Sequence, residues 1–210
     1  MIQKQHIDYT LYLCTDRELM STDTVEQAVE QAILGGCGIV QLREKNCSTR
    51  EFIHIAQKVK AVTERYHIPF IINDRVDIAL AVDADGVHVG QKDMPCAMVR
   101  RLLGQDKIIG VSAHNKEEAM EAEAEGADYL GVGAIYSTNT KEDAGVIAPK
   151  DFASLRAAVK LPIVGIGGVN KDRLDYVKSL GADGMAVVSA VISAKDIQGA
   201  AKELVDLWNK

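Results

Sequence analysis

The chain lacks a surplus of basic charge: 24 Lys and Arg stand against 30 Asp and Glu, for a net charge of −6 over 210 residues. A general nucleic-acid binder carries the opposite balance, so small anions held by a few local cations remain as ligands. It also lacks a CxxC pair; Cys14, Cys37, Cys47 and Cys96 show no paired spacing and read as reduced thiols. The N-terminus, MIQKQHIDY, has no apolar signal core, and nowhere is there an apolar run long enough to span a bilayer. The expectation is a soluble, cytoplasmic protein with no membrane partner. No linker or low-complexity tract divides the sequence, so residues 1–210 are expected to form one domain. A chain of this length buries roughly 70% of the surface its unfolded form exposes, enough for a core without disulfides.

What is present is a regular alternation. Short β-branched runs lie at 9–14, 38–42, 69–73, 86–89, 107–111, 128–132, 162–166 and 184–188. Helical spacing fills 24–34, 50–66, 75–82, 96–103, 116–125, 150–159, 171–179 and 197–209. Several of these stretches close on glycine, as at Gly35-Gly36, Gly126-Ala127-Asp128 and Gly181-Ala182-Asp183. Strands alternating with helices imply parallel pairing through right-handed crossovers. Eight such units predict an α/β fold, a single-domain (β/α)8 TIM barrel near its minimum size. The doubly wound alternative normally shows GxGxxG after its first strand; Thr15-Asp16-Arg17 stands there instead.

In such a barrel the active site lies at the C-terminal ends of the strands, and the unusual polar residues fall there. Gln41, Arg43 and Lys45 share one face of an extended segment, with Leu42 and Glu44 on the other. They would aim an amide and two cations into the mouth; the competing reading is a solvated charged loop. Asp74 and Asp93 are candidate Mg²⁺ ligands, since hard cations take carboxylates together with phosphate oxygens and water. Helix capping competes, by Asn73 or Asp74 before 75–82 and by Asp93 ahead of Pro95. His88 reads as a hydrogen-bonded barrel histidine, and His114 as a loop residue beside Ser112 rather than a proton-transfer group. Gly165-Ile166-Gly167-Gly168 and Val188-Ser189 end the last two strand-like runs, where barrels hold a phosphate on backbone N–H groups. The long connection 133–148 carries Thr138, Thr140 and Lys141, suited to a lid over a bound anion or to a plain surface loop. Two anion positions emerge, one for a monophosphate and one for a diphosphate. No Ser-His-Asp triad or cysteine nucleophile accompanies them.

The motifs QLREK at 41–45, NDR at 73–75, DGVHVGQKD at 85–93, GVSAH at 110–114, TNTK at 138–141, GIGGV at 165–169 and VVSA at 187–190 together resemble the thiamine phosphate synthase family, in order from about residue 9 to 195. The resemblance implies a Mg²⁺-dependent, pyrophosphate-releasing transferase on a (β/α)8 barrel. It would join hydroxymethylpyrimidine diphosphate to thiazole phosphate, through a pyrimidine carbocation that the thiazole nitrogen captures. It assigns Gln41, Leu42, Arg43, Glu44, Lys45, Asn73, His88, Ser112 and Lys141 to the pyrimidine diphosphate. Of these, Arg43, Lys45, Ser112 and Lys141 act on the leaving group. Thr138, Asn139, Thr140, Gly168, Val188 and Ser189 go to the thiazole phosphate, and Asp74 and Asp93 to Mg²⁺. One departure stands out: where family members often read GPIFPTxTK, this chain reads GAIYSTNTK at 133–141, without the two prolines. The expectation is a less restrained loop whose closure costs more entropy. The competing activities are isomerisation of the thiazole carboxylate phosphate, with His114 moving the proton, and a noncatalytic sensor of a thiamine intermediate. The sequence carries no signature of a particular homo-oligomeric state.

Overall fold

The structure is a computed structural model and describes residues 4–137 and 145–210. Eight parallel strands close into a barrel in sequence order: β1 (Leu11–Cys14), β2 (Ile39–Leu42), β3 (Phe70–Asn73), β4 (Gly86–Val89), β5 (Ile108–Ala113), β6 (Tyr129–Val132), β7 (Ile163–Ile166) and β8 (Gly184–Val187), with β8 returning to β1. Around it run α1 (Val25–Leu34), α2 (Thr49–Tyr66), α3 (Val76–Ala81), α4 (Cys96–Leu103), α5 (Lys116–Ala124), α6 (Pro149–Ala158), α7 (Leu174–Ser179), α8 (Ser189–Ile192) and α9 (Ile197–Trp208). The strand and helix ranges read from the sequence therefore hold closely. Two differ: β5 extends to Ala113 and so carries Ser112 within the strand, and residues 171–179 divide into a 3₁₀ turn (Lys171–Arg173) and α7. The short helix α8 is an addition.

A parallel barrel buries both faces of its strands, which is why Phe70–Ile72 and IVGI are continuously apolar rather than alternating. Outward side chains join the helices in one large core, including Leu11, Leu13, Leu42, Phe52, Phe70, Phe152 and Leu155. Inward side chains form a second, smaller one: Tyr12, Cys14, Ile39, Ile71, Ile108, Tyr129, Val164 and Ala186, closed from below by Ile7 and Tyr9. Burial pushes the Cys14 thiol up to about 12 and that of Cys37 likewise to about 12, so these cysteines act as small apolar side chains.

The repeated glycine-alanine-aspartate punctuation has a structural cause. Gly126 and Gly181 take positive φ (91° and 86°) to leave their helices. Two residues on, each aspartate fastens the entrance of the preceding strand. Asp128 accepts the Ile109 N–H at 2.8 Å, and Asp183 accepts that of Ile163 at 2.8 Å. Asp85 repeats the device on Phe70 N–H at 2.9 Å. Arg100, buried in the same layer, donates to Asp128 at 2.6 Å and to the Gly104, Lys107 and Gly126 carbonyls. Carboxylates thus stabilise the N-terminal end of the barrel, leaving the opposite end for chemistry.

Candidate active site

A cleft of about 500 Å³ opens at the C-terminal end of the strands. Alternation along β2 decides which of its residues enter. Gln41, Arg43 and Lys45 line the cleft, whereas Leu42 is fully buried on the helix-facing side. Glu44 also turns away from the cleft: Arg17 donates to it at 2.7 Å and to Glu51 at 2.8 Å. Burial raises the Glu44 carboxyl pKa despite that cation. Leu42 and Glu44, which the QLREK resemblance assigns to substrate, thus turn their side chains away from the cleft lining.

The cationic wall is held from behind. The Arg43 backbone N–H reaches Thr15 Oγ1 at 3.1 Å, and its guanidinium faces Asp16 at 3.5 Å. Lys45 Nζ contacts Asp74 Oδ2 at 2.5 Å. Asp74 follows β3 with φ of 61°, its N–H on the His88 carbonyl at 2.8 Å; this left-handed kink turns the carboxylate toward Lys45. Neither acid caps a helix, because Arg75 and Pro95 hold the N-cap positions of α3 and α4, and neither gives a side-chain cap. Asp93 instead closes a turn by accepting the Gly90 N–H at 2.8 Å. Burial, then the negative charge of Asp74, raises the Asp93 carboxyl above its ordinary range. A pair of carboxylates with one destabilised by the other is an all-oxygen donor set that a divalent cation would relieve.

The cleft floor is a hydrogen-bonded chain of inward side chains. Gln41 Nε2 donates to the Tyr12 hydroxyl at 2.8 Å, and the Tyr12 and Tyr129 hydroxyls meet at 2.6 Å. Tyr129 contacts His88 Nδ1 at 3.0 Å, and His88 Nε2 contacts Ser112 Oγ at 3.0 Å. Glycine makes this possible, since a Cβ on Gly110 would overlap the Tyr129 ring and lie 2.5 Å from His88 Nδ1. Asn73 pairs in register with His88 at the same level and also lines the cleft. His114 is at the rim, its Nδ1 3.0 Å from Glu118. Tyr12 and Tyr129 were absent from the sequence assignments, although a buried phenol needs a partner for its hydroxyl.

Across the cleft, Gly167 and Gly168 follow β7 with φ of 95° and 63°. A Cβ at Gly168 would come within 2.8 Å of Tyr136 Cβ and 2.9 Å of Arg173 Nη1. Arg173 donates to the Gly168 carbonyl at 2.6 Å while its guanidinium lies 4.2 Å from the Tyr136 ring centre. Val188 leads into α8, which begins at Ser189; the first N–H groups of a helix have no acceptor within it. Gly168→Ala combines a left-handed φ with that clash and should raise KM for a monophosphate bound here about tenfold, the worth of one strong hydrogen bond. Steady-state titration of the phosphorylated substrate tests it, and an unchanged KM would remove the turn from binding. Thr138, Asn139, Thr140 and Lys141 lie outside the described residues.

A (β/α)8 barrel whose mouth sets a glycine turn and a helix start opposite two cations and two carboxylates has the form of an enzyme acting on small molecules. Residues 11–191 match the family model described as thiamine monophosphate synthase. The thiamine-phosphate synthase of Clostridium beijerinckii is 59% identical over 96% of both chains. That of Ruminiclostridium cellulolyticum is 55% identical over 98% of both. Among solved structures, a thiamine phosphate pyrophosphorylase from Pyrococcus furiosus superposes with a TM-score of 0.88 at 41% identity, covering 97% of this chain and 96% of that one. The chain belongs to the thiamine monophosphate synthase family.

Proposed function

We propose that the chain is a thiamine-phosphate synthase that condenses 4-amino-2-methyl-5-hydroxymethylpyrimidine diphosphate with thiazole phosphate to thiamine phosphate and pyrophosphate, or with the thiazole carboxylate phosphate to the same products and carbon dioxide. The observation that carries this reading is the pairing of two unlike anion positions across one cleft. Arg43 and Lys45 with Asp74 and Asp93 suit a metal-bound diphosphate; the turn at Gly168 with Val188 and Ser189 suits a monophosphate. An isomerase has no diphosphate to neutralise, and a sensor has no need of paired carboxylates. The reading places it in the cytoplasm with small-molecule substrates. Among the described residues no helix is long and apolar enough to cross a membrane.

In the proposed reaction the bond from the hydroxymethyl carbon to the diphosphate oxygen breaks, and its electron pair leaves on pyrophosphate. The resulting pyrimidine cation is captured by the lone pair of the thiazole nitrogen. Arg43 and Lys45 oppose the charge that builds on the leaving oxygens, a role the family resemblance also gives Lys141, and Ser112 donates a hydrogen bond. Backbone N–H groups at Gly168 and Ser189 hold the thiazole phosphate so that the nitrogen meets the cation in line. Asp74 and Asp93 are the residues that would hold Mg²⁺, which when bound neutralises diphosphate oxygens as a Lewis acid. His88 and Asn73 face the pyrimidine from the floor.

Pyrophosphate release by the full chain, with each substrate alone and with both, tests the reading. Release that needs both substrates and Mg²⁺, with equal thiamine phosphate formed, is expected; none under any condition rejects it. Asp93→Asn retains an oxygen for the Gly90 N–H and removes only the charge. It should raise the Mg²⁺ concentration for half-maximal rate at least about tenfold, since even supporting partners of a metal are worth that much. An unchanged Mg²⁺ titration would leave Asp93 with turn closure alone.

A further inference from the structure

We propose that Tyr12 and Tyr129 are positioning residues that fix the proton of His88 on Nε2 and thereby make the Ser112 hydroxyl a donor into the cleft. Three contacts join Gln41, Tyr12, Tyr129 and His88. Burial pushes both phenols far above their ordinary range, so each keeps its single hydrogen. The third hydrogen is supplied at one end, by Gln41 Nε2 on the Tyr12 oxygen. With that contact filled, Tyr12 donates to Tyr129 and Tyr129 donates to His88 Nδ1. A hydrogen on Nδ1 would put four hydrogens into three contacts, in a floor where Tyr12 is 1% and Tyr129 0% exposed. An unpaired O–H buried there is costly. Nδ1 therefore presents its lone pair, and the hydrogen on Nε2 points at Ser112 Oγ, 3.0 Å away.

Ser112 accepts from His88 and keeps its own hydrogen for a ligand in the cleft that it lines. Its backbone is anchored too, the Ser112 carbonyl accepting Gln91 Nε2 at 2.8 Å. The polarity thus runs one way, from the Gln41 amide to the Ser112 hydroxyl, and gives Ser112 the sense an anion requires. Gly110 and Gly131 keep the passage clear, since a Cβ on Gly131 would lie 3.0 Å from His88 Cε1. The identity of the anion, a diphosphate, rests on the synthase reading; the direction of the chain does not.

The test is nitrogen-15 NMR of the imidazoles in the substrate-free full chain. His88 is assigned among the five histidines by loss of its signals in His88→Asn. The native chain should show Nε2 protonated and Nδ1 with a lone-pair shift; Tyr129→Phe should convert this to a tautomer mixture. Protonated Nδ1 in the native chain overturns the proposal, since the chain would then run from His88 to Gln41. An unchanged tautomer in Tyr129→Phe overturns it as well. Should Tyr129→Phe not fold, the native spectrum decides alone: protonated Nε2 with a lone pair on Nδ1 supports the proposal, and protonated Nδ1 overturns it. In turnover, Tyr129→Phe should lower kcat/KM for the pyrimidine diphosphate about tenfold with KM for thiazole phosphate unchanged, the scale of one hydrogen bond. Native values for both substrates overturn the positioning role. The NMR comparison needs no turnover, so failure of the synthase reading leaves it intact and distinguishable.

Discussion

Replacing Lys45 by alanine should lower turnover about 10²–10³-fold, the scale of losing one preorganised group that opposes developing charge. Two effects combine. The ammonium leaves the wall that, in the proposed reaction, faces the departing diphosphate. The Asp74 carboxylate also loses its partner at 2.5 Å while remaining beside Asp93, whose carboxyl its charge already perturbs. Two adjacent carboxylates without that cation bind a proton or a metal more readily. The Mg²⁺ dependence should therefore shift toward lower concentration even as the maximal rate falls. This divergence separates Lys45 from a residue that merely supports the fold. Rate and Mg²⁺ titrations of Lys45→Ala beside Lys45→Arg check it; the arginine variant keeps the charge and should recover part of the rate. A loss under threefold in Lys45→Ala, with unaltered Mg²⁺ response, would remove Lys45 from the leaving-group role.

Much of the barrel was legible because its signals are local. Apolar runs such as Phe70–Ile72 mark strands buried on both faces, and the glycines at 126 and 181 mark helix ends by their positive φ. Period-2 alternation separated Gln41, Arg43 and Lys45 from Leu42 and Glu44 before any contact was visible. The structure has the same division, with Gln41, Arg43 and Lys45 lining the cleft and Leu42 packed in the helix-facing core. Helix α8 was hidden because its residues, SAVI, extend the apolar run of β8 and are too few for a helical period. The Tyr12–Tyr129 contact spans 117 positions, and the Arg173–Gly168 bond depends on how Tyr136 folds back over β7. Periodicity gives the face a residue occupies; the partner across the barrel is set by closure and stagger, which no local pattern carries.

Gly110→Ala should destabilise the protein by about 3 kcal/mol or more, the upper end of overpacking in a filled core, with severed hydrogen bonds added. The glycine faces inward on β5, in register with Tyr129. An added methyl group would meet the Tyr129 ring and His88 Nδ1 together. Neither neighbour can give way cheaply. Tyr129 is fully buried, bonded to Tyr12 at 2.6 Å and packed on Tyr9, Tyr12 and His88 with ring centres 5.5–5.6 Å apart. His88 is fastened at both nitrogens, to Tyr129 and Ser112. Moving either ring breaks the hydrogen-bonded floor, so stability and pyrimidine binding should fall in the same variant. For a chain of this size each kcal/mol lowers Tm by about 2–4 °C, which puts the expected fall at roughly 6–12 °C in a thermal scan. Gly131→Ala is the graded control. Its Cβ would lie 3.0 Å from the edge of the His88 ring alone, and a smaller shift in Tm should accompany it. Equal effects from the two substitutions, or a fall under about 2 °C in Gly110→Ala, would mean that the floor repacks and that glycine is not what holds Tyr129 against His88.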